Sequence, residues 1–259
     1  MSLPSYALVT GASSGIGECF ARALAAQRRN VVLVARSAEK LRAVAAELQS
    51  KLGILAEPWS ADLSEPGAGI RLAGLLGERG WDIDLLINNA GFGARGEFWK
   101  LSLERQSALM RLQIETMVEL TSRLLPPMLA KRRGGIINVS SMTGFQPIPY
   151  ATTYSATKAF MTSFSMGLRE ELRPYGLAVV TVCPGGTRTN FVIEGAQHGR
   201  HRFPGGRQAP EQVAAEALEK LELGGGLVVP RFVNKASVFW QRLVPRSLVP
   251  KLLAKMSRP

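Results

Sequence analysis

Tyr154 and Lys158 stand four residues apart in a stretch with helical apolar spacing, so both side chains emerge on one helix face. A free phenol titrates at about 10, too high for easy proton exchange at neutral pH, and a neighbouring ammonium favours the phenolate and lowers that value. The pair is expected to move a proton, with Tyr154 donating or accepting it and Lys158 tuning the exchange. Such a pair on its own would be ordinary helix surface. A second feature far upstream gives it weight.

That feature is Thr10-Gly-Ala-Ser-Ser-Gly-Ile-Gly17, which follows an apolar run and opens directly into a helical pattern. Gly11, Gly15 and Gly17 let the turn tighten, let backbone approach a pyrophosphate and let the helix pack closely on the strand, while the helix N-terminus faces the anion. The next apolar run ends in Val31-Val-Leu-Val-Ala35-Arg36-Ser37. An acid there would accept bonds from a free ribose 2′-hydroxyl and repel a 2′-phosphate. None is present, and Arg36 is a cation suited to that phosphate, so NADP(H) is the cofactor expected.

The elements that must position these groups follow from alternation of short apolar runs with longer amphipathic stretches, the rhythm of a parallel sheet covered on both faces. Seven strands are expected at 6–9, 31–35, 54–57, 85–87, 135–139, 177–182 and 227–229. Helices are expected near 15–29, 38–51, 67–79, 104–131, 152–173 and 210–222. The fold class is α/β, a doubly wound Rossmann fold with a seven-stranded parallel sheet. A Gly-rich polar stretch near 185–210 reads as a mobile substrate loop or lid.

At 259 residues, 46% hydrophobic and 20% charged, the chain has enough material for one well-buried core and is short for two enzymatic domains. The expected division is a single catalytic domain over 1–232 and a basic amphipathic extension over 233–259. No secretory leader is read at the start, and no window reaches the roughly 18 apolar residues of a membrane-spanning helix. Cys19 and Cys183 read as small buried hydrophobes, so a reducing, cytoplasmic setting is expected. The formal charge is +12, yet 223–259 contains no Asp or Glu and seven basic residues, leaving the rest at 25 basic against 20 acidic. The body is only mildly basic. Without zinc-finger spacing or aromatic-basic interleaving, no nucleic-acid partner is expected. His198 and His201 lack accompanying carboxylates or Cys and read as solvated loop residues, so no metal site is expected.

Taken in chain order, six pieces resemble the classical short-chain dehydrogenase/reductase family over roughly residues 5–230. They are Thr10 to Gly17, Asp62-Leu63 after the third strand, Asn88-Asn89-Ala90-Gly91 after the fourth, Ser141 after the fifth, Tyr154 to Lys158 in a helix, and Pro184-Gly185 after the sixth. The resemblance implies a catalytic set of Ser141, Tyr154 and Lys158, with Ser141 bonding the substrate oxygen and Lys158 also holding the nicotinamide ribose. Ser140 is the adjacent alternative, and strand alternation points the two serines to opposite sides. It further implies that Ser13, Ser14 and Ile16 join the three glycines on the cofactor. Asp62, Leu63, Asn89, Ala90, Gly91, Tyr154, Lys158, Pro184, Gly185, Thr187 and Thr189 are expected to bind it as well.

One position departs from the pattern: Gln113, expected as the fourth member of the catalytic set, stands where the family usually has an Asn whose backbone carbonyl is thought to hold a relay water. Gln113 is the sole support for an alternative reading, a catalytically weak dinucleotide-binding sensor or scaffold. Phe92, Phe98, Trp99, Phe145, Pro147, Ile148, Tyr150, Phe191, Val192 and Ile193 are expected near the nicotinamide, a lining suited to a lipophilic ketone or alcohol. The resemblance is to acyl and steroid carbonyl reductases, leaving 3-oxoacyl thioesters, steroids and aryl ketones open, and a homo-oligomer is expected. In the tail, Pro245 and Pro250 should cut the chain into short helices. The tail either covers a domain edge or contacts an anionic surface, acidic lipid or the phosphates of a carrier-bound acyl group. Replacing Arg36 by Asp should invert a preference for NADPH over NADH. Equal affinity of the unaltered protein for both, measured by titration, would remove the basis for that assignment.

Overall fold

The segment Ser-Tyr-Ala-Leu-Val-Thr at Ser5–Thr10 is apolar on both faces, as a central parallel strand must be. In the computed structural model, which describes residues 4–189, 191, 193–194, 206–241, 243–245 and 248–257, it forms β1. There follow α1 (Gly15–Ala26), β2 (Asn30–Ala35), α2 (Ala38–Leu52), β3 (Ala56–Ser60), α3 (Ala68–Glu78) and β4 (Asp82–Asn88). A two-residue strand β5 (Gly93–Ala94), α4 (Leu103–Met110), α5 (Thr116–Lys131), β6 (Gly135–Val139), α6 (Thr152–Leu172) and β7 (Ala178–Val182) come next. The chain ends through β8 (Ile193–Glu194), α7 (Pro210–Glu222), β9 (Gly226–Val228), α8 (Phe232–Gln241) and α9 (Val249–Ser257).

Seven strands pair in the order β3-β2-β1-β4-β6-β7-β9, every pair parallel. Alternation along β1 sends Ala7 and Val9 into one apolar layer with α1, α2 and α7, through Phe20, Leu24, Leu41 and Val213. Tyr6 and Leu8 enter the opposite layer with Leu72, Leu120, Leu124 and Leu168 of α3, α5 and α6. This is the doubly wound sheet expected. The chain leaves β1 toward β2 on one side and later returns to β4 on the other. The carboxyl ends of β1 and β4 therefore diverge over a crevice, where ligands of such sheets bind.

Three expectations about the elements need correction. The third strand begins at Ala56 instead of 54, because α2 runs on to a left-handed Gly53 and the Leu55 amide is taken by the Asn30 side chain at 2.9 Å. The single helix expected over 104–131 is two helices joined by a π-helical turn at Arg111–Glu115. In the tail, Pro245 lies between α8 and α9, but Pro250 is accommodated in the first turn of α9, where a missing amide hydrogen costs no helical bond. Strands β5 and β8, which pair as a separate ribbon, are too short to leave a periodic signal. Val192, His198, His201, Arg242, Arg246 and Arg258 lie outside the described residues, as does 195–205 of the segment read as a lid.

Across β4, β6 and α6 runs a buried polar chain. Asn88 Nδ2 donates to Asn138 Oδ1 at 2.8 Å, Asn138 Nδ2 to Ser165 Oγ at 2.8 Å, and Ser165 Oγ to Met161 O at 2.6 Å. Asn138→Ala would leave Asn88 and Ser165 with unmet polar groups and should destabilise the fold by about 1–3 kcal/mol. An unchanged urea midpoint would show that the chain of bonds is dispensable.

Candidate active site

The Thr10 hydroxyl, at the end of β1, donates to Ile87 O at 3.1 Å and accepts from the amides of Asn89 at 2.9 Å and Ala90 at 3.0 Å. Asn89 returns its side-chain amide to Thr10 O at 2.9 Å. The glycine turn is thereby tied to the segment 88–91. Gly11, at φ +68°, could carry no side chain, since a Cβ would meet Asn89 Nδ2 at 2.8 Å; one on Gly17 would lie 2.2 Å from Gly11 O. Helix α1 starts at Gly15 from an extended Ser14 whose side chain does not cap it. Its first-turn amides, Ile16 and Gly17 among them, thus present the positive end of a twelve-residue helix beside Ser13 and Ser14.

Arg36 is exposed at the end of β2, its carbonyl held by Ser60 Oγ at 2.9 Å. Asp62 accepts from the Ser64 amide at 2.9 Å and hydroxyl at 2.6 Å. Burial works to raise its carboxyl, but those bonds and the charges of Arg36 and Arg105 hold it below the ordinary value. Leu63 is buried, with its carbonyl on Thr116 Oγ1 at 2.7 Å. A small-residue turn, an uncapped helix start and a cation at the β2 end together fit a dinucleotide that carries a ribose phosphate.

Tyr154 and Lys158 share a face of α6, as expected, and Ser141 follows β6 opposite them. The two serines diverge: Ser140 Oγ donates to Lys158 O at 2.8 Å and meets Thr162 Oγ1 at 2.8 Å, whereas Ser141 Oγ accepts from the Thr143 amide at 3.2 Å on the side of the Tyr154 phenol. Lys158 is only 3% exposed, and its Nζ donates to Val139 O at 2.9 Å, touches Met161 Sδ at 3.4 Å and lies 5.8 Å from the Tyr154 ring centre. The expected lowering of the phenol by the lysine is not what this geometry produces. Burial pushes Tyr154 up to about 12 against the opposing Ser141 bond, and burial brings Lys158 down to about 7. Desolvation outweighs attraction because the ammonium is directed at a backbone carbonyl.

Gln113 is 1% exposed and sits inside the π-helical turn, so the helix is locally opened where the sequence departs from its pattern. Its Nε2 donates to Phe92 O at 2.6 Å, and its Oε1 accepts from Thr157 Oγ1 at 3.3 Å, which joins it to the residue before Lys158. Beside it is a cavity of about 10 Å³, bordered also by Thr10, Asn88, Ala90 and Met161. That is the lower limit for one water.

On the remaining side, the Pro184 carbonyl accepts from the Met142 amide at 3.1 Å. Gly185 faces Asn234 of α8, and a Cβ there would meet its Nδ2 at 2.9 Å. Thr187 Oγ1 donates to Gly185 O at 3.1 Å, and Thr189 lies over the glycine turn, 3.0 Å from where a Gly15 Cβ would be. Gly91 faces Gln113. Of the apolar lining expected, Phe191 stands with its ring centre 6.1 Å from that of Tyr154, and Ile193 pairs with Gly93 in the small ribbon. Phe92 instead is buried under the Arg105 guanidinium at 3.8 Å, and Phe98 and Trp99 are exposed. Phe145 packs toward Cys183 and Val238. Pro147 is exposed and Ile148 half-buried, and Tyr150 holds a strained φ of +63° with its carbonyl on the Gly96 amide at 2.7 Å.

Several positioning residues have no local signal in the sequence. Gly144 lets the turn after Ser141 close on α6, since a Cβ would lie 2.7 Å from Lys158 O. Gln208 joins the two legs of the loop through its amide to Gly186 O at 2.8 Å, its carbonyl to the Arg188 amide at 2.9 Å and its Nε2 to Thr187 Oγ1 at 3.3 Å. Asn138 and Thr162 could have been suspected from strand alternation and from their helical spacing to Lys158.

A profile of the family described as short chain dehydrogenase matches residues 5–198. The chain is similar to a very-long-chain 3-oxoacyl-CoA reductase of Anas platyrhynchos, 34% identical over 186 residues that make up 70% of this chain and 59% of that protein. It is 32% identical over 240 residues to the enzyme of the same name from Laccaria bicolor, covering 91% and 69% of the two chains. The chain thus spans less than two thirds of the former relative's length. Among solved structures, a short-chain dehydrogenase from Sphingobium yanoikuyae in complex with NADPH superposes with a TM-score of 0.80 at 31% identity, covering 93% of this chain and 92% of the other.

The Lys158 value carries a linkage consequence. Between about 7 and the ordinary 10.5, the unfolded chain binds a proton that the folded chain does not, so this group makes stability rise with pH across that window. The contribution is flat below it, where both states are protonated. Relative to Lys158→Met, the native chain should gain up to about 1.4 kcal/mol per pH unit in urea unfolding. Parallel profiles for the two proteins from neutral pH upward would mean that the buried amine is not neutralised.

Proposed function

This chain belongs to the short-chain dehydrogenase family, and from that premise we propose that it is an NADP(H)-dependent oxidoreductase, moving hydride between nicotinamide and the carbonyl or alcohol carbon of a lipophilic 3-oxoacyl thioester. The observation that carries the reading is the meeting of Ser141, Tyr154 and Lys158 at the end of β6, beside a glycine turn whose helix start is uncapped. The substrate class is supported by the names of the relatives and by Phe191 standing over Tyr154. Arg36 is the residue assigned to the 2′-phosphate.

The bound cofactor supplies the hydride, and the chain's own residues handle orientation and protons. Ser141 offers its hydroxyl to the substrate oxygen and holds it beside the phenol. A phenol near 12 stays protonated at neutral pH, so Tyr154 is a donor in the reductive direction, transferring its proton to an oxygen that becomes far more basic as charge develops on it. Lys158, near 7, can take up or release a proton at neutral pH on the same helix face. The Gln113 π turn and its water-sized cavity supply an opened backbone at this point, which leaves the sensor alternative without further support.

The same reading includes a homo-oligomer. The outward face of α6 carries Phe160 and Phe164 stacked at 6.0 Å, next to a groove of about 330 Å³ lined also by Gly167 and Leu168, a surface suited to a second copy. It also includes a cytoplasmic setting, supported by two free cysteines. Screening 3-oxoacyl-CoA, steroid and aryl ketones against NADPH by nicotinamide absorbance tests the substrate class. Tyr154→Phe should abolish nearly all turnover with NADPH affinity kept, because the phenol acts on the proton and not on the dinucleotide. Persisting turnover would pass the acid role to another group.

A further inference from the structure

Helix α8 turns its main apolar face outward, and among the described residues only the opposite side, carrying Val238 and Asn234, is covered. Its inner face places Val238 against Cys183 and Val229, and Asn234 against Gly185 and the Pro230 carbonyl at 2.7 Å. At 3.6 residues per turn, Phe232, Val233, Phe239 and Trp240 project from the other side. Phe232 is 83%, Phe239 59% and Trp240 64% exposed, and the last two rings meet edge to face at 6.3 Å. The exposed apolar run continues through Leu243, Val244 and Leu248 to Leu252 of α9. An amphipathic helix normally turns its apolar stripe toward the core, and an open aromatic face marks an interaction surface.

The charge around this face says what can cover it. After Glu222 the chain has no acidic residue, while Arg231, Lys235, Arg242, Arg246, Lys251, Lys255 and Arg258 follow. A symmetric contact between two copies through this face would bring both sets of cations together with no acid in the segment to pair them, a repulsive arrangement. An anionic lipid headgroup layer is complementary to it, with aromatic rings entering the interface and Lys and Arg on the phosphates. We propose that the C-terminal helices α8 and α9 are a peripheral docking face for an anionic phospholipid bilayer. The inner side of α8 touches Gly185 and packs toward Met142 and Phe145, and Arg231 donates to Gly206 O at 3.2 Å on the return leg of the substrate loop. A docked chain would therefore hold the mouth of the active site close to the lipid surface. The docking does not depend on the identity of the substrate.

The test is sedimentation of the full chain with phosphatidylcholine vesicles, with and without phosphatidylserine, at low and high salt. Two variant sets accompany it, Phe232→Ser/Phe239→Ser/Trp240→Ser and Lys235→Glu/Lys251→Glu, each checked for an unchanged thermal midpoint. The native chain should pellet with phosphatidylserine vesicles, stay in the supernatant with phosphatidylcholine alone and be released by salt. Both variants should bind roughly tenfold more weakly. No binding at low salt would overturn the proposal. Undiminished binding of the aromatic variant would also overturn it, since net charge alone would then account for the association. If sedimentation velocity shows an oligomer that the aromatic variant loses and vesicles never bind, the face belongs to a second copy.

Discussion

One hydroxyl, that of Thr10, holds the crevice in shape. It serves three backbone groups at once, the carbonyl of Ile87 and the amides of Asn89 and Ala90, and so fastens the end of β1 to the end of β4 across nearly eighty residues of chain. At that place the two strands lead their chains to opposite sides, and among the described residues no backbone carbonyl accepts from those amides. The remainder of the cofactor side depends on this clamp. Asn89 can reach back to Thr10 only because Gly11 has no side chain, and α1 can approach Gly11 O only because Gly17 has none.

The catalytic side is governed by a contest between burial and attraction. Lys158 and Tyr154 lie on one helix face, yet the amine is buried and turned toward the Val139 carbonyl, and the phenol is half-buried. Desolvation therefore moves each toward its neutral form, the phenol upward and the amine downward. For a reductase this is a serviceable arrangement, since a neutral phenol is the species that can donate. The α6 backbone that carries the pair is held by Ser140, Thr162 and the close approach of Gly144, so the spacing of the two groups is set by packing as much as by the helix.

The substrate loop is secured at both ends by parts distant in sequence. Gln208 ties its legs together through three hydrogen bonds, Thr189 rests on the glycine turn, and the β5–β8 ribbon joins 193–194 to 93–94. Helix α8, from the basic tail, backs the same region through Asn234 and Val238. Cofactor turn, loop and tail are thus mechanically adjacent, although more than two hundred residues separate the first from the last.

By itself the sequence determined the strand-helix rhythm, the two-layer core around seven parallel strands, the glycine turn and the sharing of one helix face by Tyr154 and Lys158. All of these are periodic or local, fixed by backbone repeat and by residues within a few positions of one another. It also separated Ser140 from Ser141, because strand alternation needs no knowledge of the partner. Tertiary structure decided the rest. The π turn at Gln113 depends on Phe92 and Thr157 waiting for its amide, the direction of the Lys158 amine depends on the Val139 carbonyl, and the start of β3 depends on Asn30. Helical periodicity would likewise have turned the Phe232, Phe239 and Trp240 side of α8 inward, whereas Cys183 and Val229 cover the side that carries Val238. In each case the deciding atom belongs to a segment remote in sequence, and a pattern read along the chain carries no record of which groups will be desolvated together.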